Sequence, residues 1–149
     1  MPIYLGSTDA MDVYEEGGFD VAYTSGGGSV TIHPSVNRMS YTKIGRVVYV
    51  TGRTTIQTIS SGPGPSGALT LTGLPFTSAD LTEESELSYF TFQMGGTGLD
   101  IAANAIQGSN STGGTTIIIR EFDGTTAADL AGKIGDDTDI GITGWYIAA

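Results

Sequence analysis

The chain has no cysteine and a single histidine, His33, in 149 residues. Disulfides and thiolate metal sites are therefore excluded, as is any site needing two imidazoles, so stability must come from packing, subunit association or bound ions. Positive charge is also scarce: six Lys and Arg stand against sixteen Asp and Glu, giving a formal net charge of -10. A broad phosphate-contacting face needs clustered Lys and Arg, so nucleic acid is not an expected partner. The opening Met1-Pro2-Ile3-Tyr4-Leu5-Gly6-Ser7 lacks the basic and long apolar regions of a secretory signal, and nowhere do about 18 apolar residues run together. A soluble product made in a cytoplasm is expected, with no membrane partner. No repeat of fixed period is visible, which disfavours a propeller or solenoid.

What is present points to short strands. Twenty-three glycines and abundant Ser and Thr weigh against helices, because glycine costs about 1 kcal/mol against alanine inside a helix. One domain of this length buries roughly 70% of its extended surface, and two would each be too thin. Residues 1–18 read as an arm with a small apolar cluster, Ile3, Tyr4 and Leu5, and residues 19–149 as the β-domain. Strands are expected at Phe19 to Thr24, Ser29 to His33, Ser40 to Ile44, Arg46 to Ile59 and Ala68 to Gly73. Others are expected at Leu87 to Gln93, Leu99 to Gln107, Thr115 to Phe122 and Ile140 to Ile147. Gly45-Arg46 sits where a tight hairpin turn reverses the chain. One helical turn is expected around Leu130. The segments 60–67 and 80–86 read as loops. Ile117, Ile118 and Ile119 in a row suit a strand covered on both faces or one that contacts another subunit.

Reactive chemistry is absent where architecture is clearest. His33 precedes Pro34 and no Gly-x-Ser-x-Gly elbow surrounds a candidate serine, so His33 reads as a strand-end residue. Asp80, Glu83, Glu84 and Glu86 form one carboxylate cluster, and Asp136, Asp137 and Asp139 another. Both read as solvated acidic turns rather than a glycosidase pair. The second cluster lacks the spaced glycine and terminal glutamate of a calcium loop. No catalytic residue, metal or cofactor is expected. Among the aromatics, Phe76, Phe90, Phe92 and Trp145 are expected to fill the core, Phe90 and Phe92 pointing the same way along a strand. The other reading of Tyr41, Tyr49, Tyr89, Phe90, Phe92, Trp145 and Tyr146 is a platform on which a sugar stacks. Arg38, Lys43, Arg46 and Arg53 cluster in sequence and are expected to flank strand ends and pair with local carboxylates.

Five pieces in order carry a resemblance: Tyr14-Glu15-Glu16-Gly17 with Phe19, then Tyr41-Thr42-Lys43-Ile44-Gly45, then Gly52-Arg53, then Leu74-Pro75-Phe76, and finally Ile142-Thr143-Gly144-Trp145-Tyr146-Ile147. Together, from about Asp12 to the last residue, they resemble a module of tailed-phage structural proteins that recurs at fibre tips and as head fibres or capsid decoration proteins. The chain departs from that pattern at Gly18-Phe19-Asp20-Val21, where similar modules often carry a larger hydrophobic or a Thr-Pro pair. The resemblance implies assembly as a homotrimer. An isoleucine-rich strand and an apolar C-terminal strand would gain by covering one another across a threefold axis.

The expected fold is thus a single antiparallel all-β sandwich, jelly-roll-like, of about eight strands. The expected role is a non-enzymatic capsid decoration or cement protein on the virion exterior, made in the host cytoplasm. Its partners would be its own copies and the major capsid protein, with Ile3, Tyr4 and Leu5 of the arm docking on the shell. The Met1 start and short arm, with no shaft of repeats before the module, favour this over a fibre. The alternative is a receptor-binding fibre tip that recognises a host surface glycan through loops 60–67 and 80–86.

Overall fold

A computed structural model describes residues 14–60, 64–81, 87–101, 105–122 and 127–149. The strands are β1 (Tyr14–Asp20), β2 (Ala22–Thr24), β3 (Val30–Ile32), β4 (Arg38–Ile44), β5 (Val47–Ile59), β6 (Leu69–Thr72), β7 (Tyr89–Gly95), β8 (Ala105–Asn110), β9 (Thr116–Phe122), β10 (Ala127–Asp129) and β11 (Asp139–Ile147). A 3-10 turn covers Ala131–Lys133. No helix among the described residues is long and apolar enough to cross a membrane.

The longest strand shows why these segments fold as they do. Along β5, Val48, Val50 and Ile56 are buried at alternate positions, as the pleat of a half-covered strand requires. Its hairpin partner is fixed by the turn: Ile44 pairs with Val47, and Gly45 takes φ 59° at the first central position. That is the type II′ arrangement, in which only a residue without a Cβ is unstrained.

Every strand pairing is antiparallel, and the ladder runs β1-β4-β5-β11-β7-β8-β9-β6-β2, with β3 beside β5 and β10 beside β9. Strand β2, at the far end of this path, contacts β3, so the sheet curls into a nearly closed barrel. The all-β antiparallel expectation holds. A sandwich would divide the strands between two facing sheets, and here one path passes through nine of them without a break. The barrel interior is filled by Val48, Ile56, Leu69, Ile119, Ile140 and Tyr146, each with no exposed surface.

Three sequence expectations are corrected, and one is met in its simplest form. Tyr14 to Gly18, assigned to the arm, belong to β1 and pair with β4 from Tyr14↔Ile44 to Gly18↔Ser40. The glycines permit this, because a Cβ at Gly17 would lie 2.9 Å from the Tyr41 ring. Strand β8 starts at Ala105 rather than Leu99. Leu99 and Ile101 instead pack on the core from a loop held by the Asp100 N–H donating to Lys133 O at 2.9 Å. The one helical turn expected around Leu130 is present, as the 3-10 turn that directly follows this buried residue. Trp145 lies outside the core, which its neighbour Tyr146 enters.

One fully buried polar contact crosses the interior, and a second contact, an ion pair, is part-buried. The Tyr23 hydroxyl lies 2.9 Å from Thr54 Oγ1, and burial pushes that phenol far above its usual range. Glu121, on the inward face of β9, pairs with Lys133 Nζ through Oε1, and its Oε2 has no partner among the described residues.

Candidate interaction surface

Four of the five pieces that carried the phage-module resemblance meet in one joint. From the loop after β6, the Phe76 N–H donates to Tyr146 Oη at 3.2 Å, and the Tyr146 hydroxyl donates to Phe76 O at 3.0 Å. The Phe76 ring stands edge-on to Tyr41 with centroids 5.3 Å apart at 85°. Lys43 Nζ sits 5.1 Å from the same ring, and Tyr41 reaches Phe19 at 6.3 Å. Edge-to-face and cation–π contacts of this kind fix ring orientation as well as adding stability. Residues of β1, β4, β11 and the Leu74-Pro75-Phe76 loop are thereby locked together. The joint is architectural, and it lies on the side of the sheet opposite the exposed face.

That outer face follows from register. Direct cross-strand partners lie on the same side of a sheet, and Tyr14↔Ile44, Ile44↔Val47 and Val47↔Ile147 form one row across β1, β4, β5 and β11. The next row is Glu16, Thr42, Tyr49 and Trp145, and the row after it brings Ser40, Thr51, Thr143 and Thr91 together. Tyr89, two residues before Thr91 on β7, shares this side. Tyr14 is 63% exposed, Tyr49 53%, Trp145 47% and Tyr89 69%, with Ile44 and Val47 at 44% and 41%. Thr42, Ile44, Val47 and Tyr49 line an apolar depression of about 440 Å³.

Charge around this face is balanced, unlike the chain as a whole. Arg53 Nη1 lies 3.5 Å from Asp139 Oδ2, and Arg38 Nη1 lies 3.2 Å from Asp20 Oδ1. Arg46 Nε donates to Ala148 O at 2.9 Å, and Lys43, in register with Glu15 on the opposite side of the sheet, covers Phe76. Two of the four clustered cations thus pair with carboxylates as expected, and the other two have none as a partner among the described residues. On β1, the Tyr14 hydroxyl donates to Glu16 and the Tyr41 hydroxyl to Glu15, each at 2.6 Å. These hydrogen bonds to carboxylates, first among the causes, raise both phenol pKa values above the ordinary range.

Ile3, Tyr4 and Leu5 lie outside the described residues, as do Glu83, Glu84 and Glu86 and parts of both loops assigned to glycan recognition. His33 is exposed, with Nδ1 2.8 Å from Ser35 Oγ. The acidic turn is distributed: Asp136 Oδ1 accepts from Ile59 N–H at 2.8 Å, and Asp139 Oδ1 from Thr55 Oγ1 at 2.6 Å. Asp137 takes φ 61° in the turn itself. No cluster able to hold a metal ion occurs among the described residues. The seven aromatics considered as one platform divide: Tyr49, Tyr89 and Trp145 face outward, Phe90 and Tyr146 are buried, and Tyr41 and Phe92 are half-buried. The outer face was foreshadowed by Val47-Val48-Tyr49-Val50, which is apolar at both strand parities.

No family model matches this chain, and no curated protein matches it in sequence. Among solved structures, the crystal structure of the Dettilon tailspike protein (gp208) contains a similar fold, with a TM-score of 0.74 and 18% identity over 91% of this chain. The chain spans 24% of the length of that tailspike, so the likeness is one of fold between this chain and a part of a longer protein.

Proposed function

We propose that this chain is a structural module of a phage virion: a homotrimer that decorates the capsid exterior, bridges neighbouring capsomers and has no enzymatic activity. The observation that carries the virion reading is the tailspike-like fold over 91% of the chain, together with the ordered motifs of tailed-phage modules. Self-association is supported by the apolar outer face of β1, β4, β5, β11 and β7. An exterior position suits a net charge of -10, because like-charged coats keep particles apart. Docking on the major capsid protein would stabilise the shell by linkage, each bound copy favouring the closed state.

The test is to mix purified protein with particles lacking it, sediment them through a gradient and count bound copies. Saturable binding in symmetric stoichiometry is expected, reduced by Tyr4→Asp with Leu5→Asp. Unchanged occupancy in that variant would remove the arm from the docking site, and no binding to particles would end the decoration reading.

The second reading is a fibre tip that recognises a host surface glycan. It is favoured by Tyr49, Tyr89 and Trp145 standing exposed beside the hydroxyls of Thr51, Thr91 and Thr143, an arrangement in which a sugar could both stack and hydrogen-bond. Adherence of the isolated protein to host cells, with no binding to capsids, would put this reading first.

A further inference from the structure

We infer that the outer face of β1, β4, β5, β11 and β7, centred on Tyr49 and Trp145, is the surface on which a second copy of this chain docks. This rests on the self-association reading above and adds where the contact lies.

Area is the first argument. At about 200 Å² for a fully exposed aromatic side chain, Tyr14, Tyr49, Tyr89 and Trp145 leave ~460 Å² uncovered. Ile44 and Val47 bring the patch to roughly 600 Å², the upper end of what monomers expose. The Thr51, Thr91 and Thr143 rim extends it toward the ~800 Å² that each partner buries in a stable protein–protein interface. An apolar centre with a hydroxyl rim is also the usual anatomy of such an interface.

Charge is the second. Two copies of a chain carrying -10 repel each other, and association is least opposed where local charge cancels. That place is here: Arg38 and Arg53 on the outward positions of β4 and β5, with Arg46 in the turn between them, offset Glu16, Asp20 and Asp139 on the neighbouring β1 and β11. Each of these acids has an intramolecular partner already, so none needs a new one when the face is covered. Position is the third. The patch lies on strands whose backbones are paired on both sides in β4, β5 and β11, so the partner meets side chains on a rigid surface rather than an open sheet edge.

The chain contains one tryptophan, and Trp145 lies in the middle of the patch, so its fluorescence reports on this face alone. Sedimentation velocity over a dilution series would be run beside Trp145 emission and quenching by acrylamide, a neutral probe indifferent to the protein's charge. The expected result is an oligomer in which Trp145 is blue-shifted and its quenching falls severalfold relative to the dilute monomer. Val47→Lys with Tyr49→Lys should sediment as a folded monomer, with circular dichroism unchanged, and Gln57→Lys farther along β5 should remain oligomeric. If the double variant fails to fold, Tyr14→Lys at the sheet edge is the milder substitution and should weaken association at least tenfold.

An oligomer with Trp145 fully open to acrylamide would leave self-association standing and overturn this face as its site. A monomer at every concentration would overturn both. Shielding of Trp145 in that monomer would point to an intramolecular cover, and shielding only on adding an oligosaccharide would make the face a sugar platform.

Discussion

Replacing Tyr146 by Phe removes one oxygen from the joint and changes little else. That hydroxyl both donates to Phe76 O and accepts from Phe76 N–H, at 3.0 and 3.2 Å, and the side chain has no exposed surface. Each hydrogen bond is worth roughly 0.5–1.5 kcal/mol net, so the variant should lose about 2 kcal/mol. A chain of 149 residues has an unfolding entropy near 0.3 kcal/mol/K by the usual per-residue value of about 2.1 cal/mol/K. The loss then corresponds to a Tm lowered by about 6 °C. Thermal melts by circular dichroism at one fixed protomer concentration would measure it, since association makes Tm concentration-dependent.

The same variant has an alkaline signature. Burial, partly offset by the bond to Phe76, pushes the Tyr146 phenol up to about 12 from its ordinary 10.0. A raised folded pKa means that the stabilisation is complete below about pH 10 and is lost as pH climbs toward 12. The gap between wild type and Tyr146→Phe should therefore shrink as pH rises through that window, because only the wild type has this phenol to ionise. A Tm within ~2 °C of wild type at neutral pH, or a gap independent of pH up to about 11, would refute the role given to this hydroxyl.

Other perturbations probe different parts of the fold. Lys133→Met removes the partner of the buried Glu121 carboxylate from a pair whose lysine is 40% exposed and should cost about 1–3 kcal/mol in chemical denaturation, with the double variant Glu121→Met, Lys133→Met recovering much of it. Gly144→Ala places a Cβ 2.5 Å from Phe90 Cδ1 and should cost about 1–3 kcal/mol by overpacking, seen as a lower denaturation midpoint with unchanged slope. Arg38→Ala removes an ion pair whose side chains are 63% and 67% exposed. It should change stability by less than about 1 kcal/mol, and by still less at high salt.

The sequence made much of this architecture legible wherever the signal is local. Alternation along Val48, Val50 and Ile56, the Gly45-Arg46 reversal and the Ile117-Ile118-Ile119 run each specify a strand or turn within a few residues. Strand β8 was shifted because Ala105-Ile106-Gln107-Gly108-Ser109-Asn110 has one large apolar residue and no alternation to read. Its pairing comes from β7 and β9 on either side. The orientation of Trp145 and Tyr146 was recoverable, since Tyr146 shares strand parity with Ile140 and Ile142, but bulk alone suggested the tryptophan. The outer face was the least legible feature. Tyr14, Ile44, Tyr49, Tyr89 and Trp145 come from five strands, and only the register of β1, β4, β5, β11 and β7 brings them together.

The central claim, that this chain is an exterior structural component of a phage particle, is tested most directly by electron cryomicroscopy of intact virions from a phage that encodes it. The expected result is density matching the β1–β11 barrel in threefold clusters on the outer capsid surface. Purified, infectious virions with no such density on capsid or fibres, and no trace of the chain in their protein content, would contradict the account.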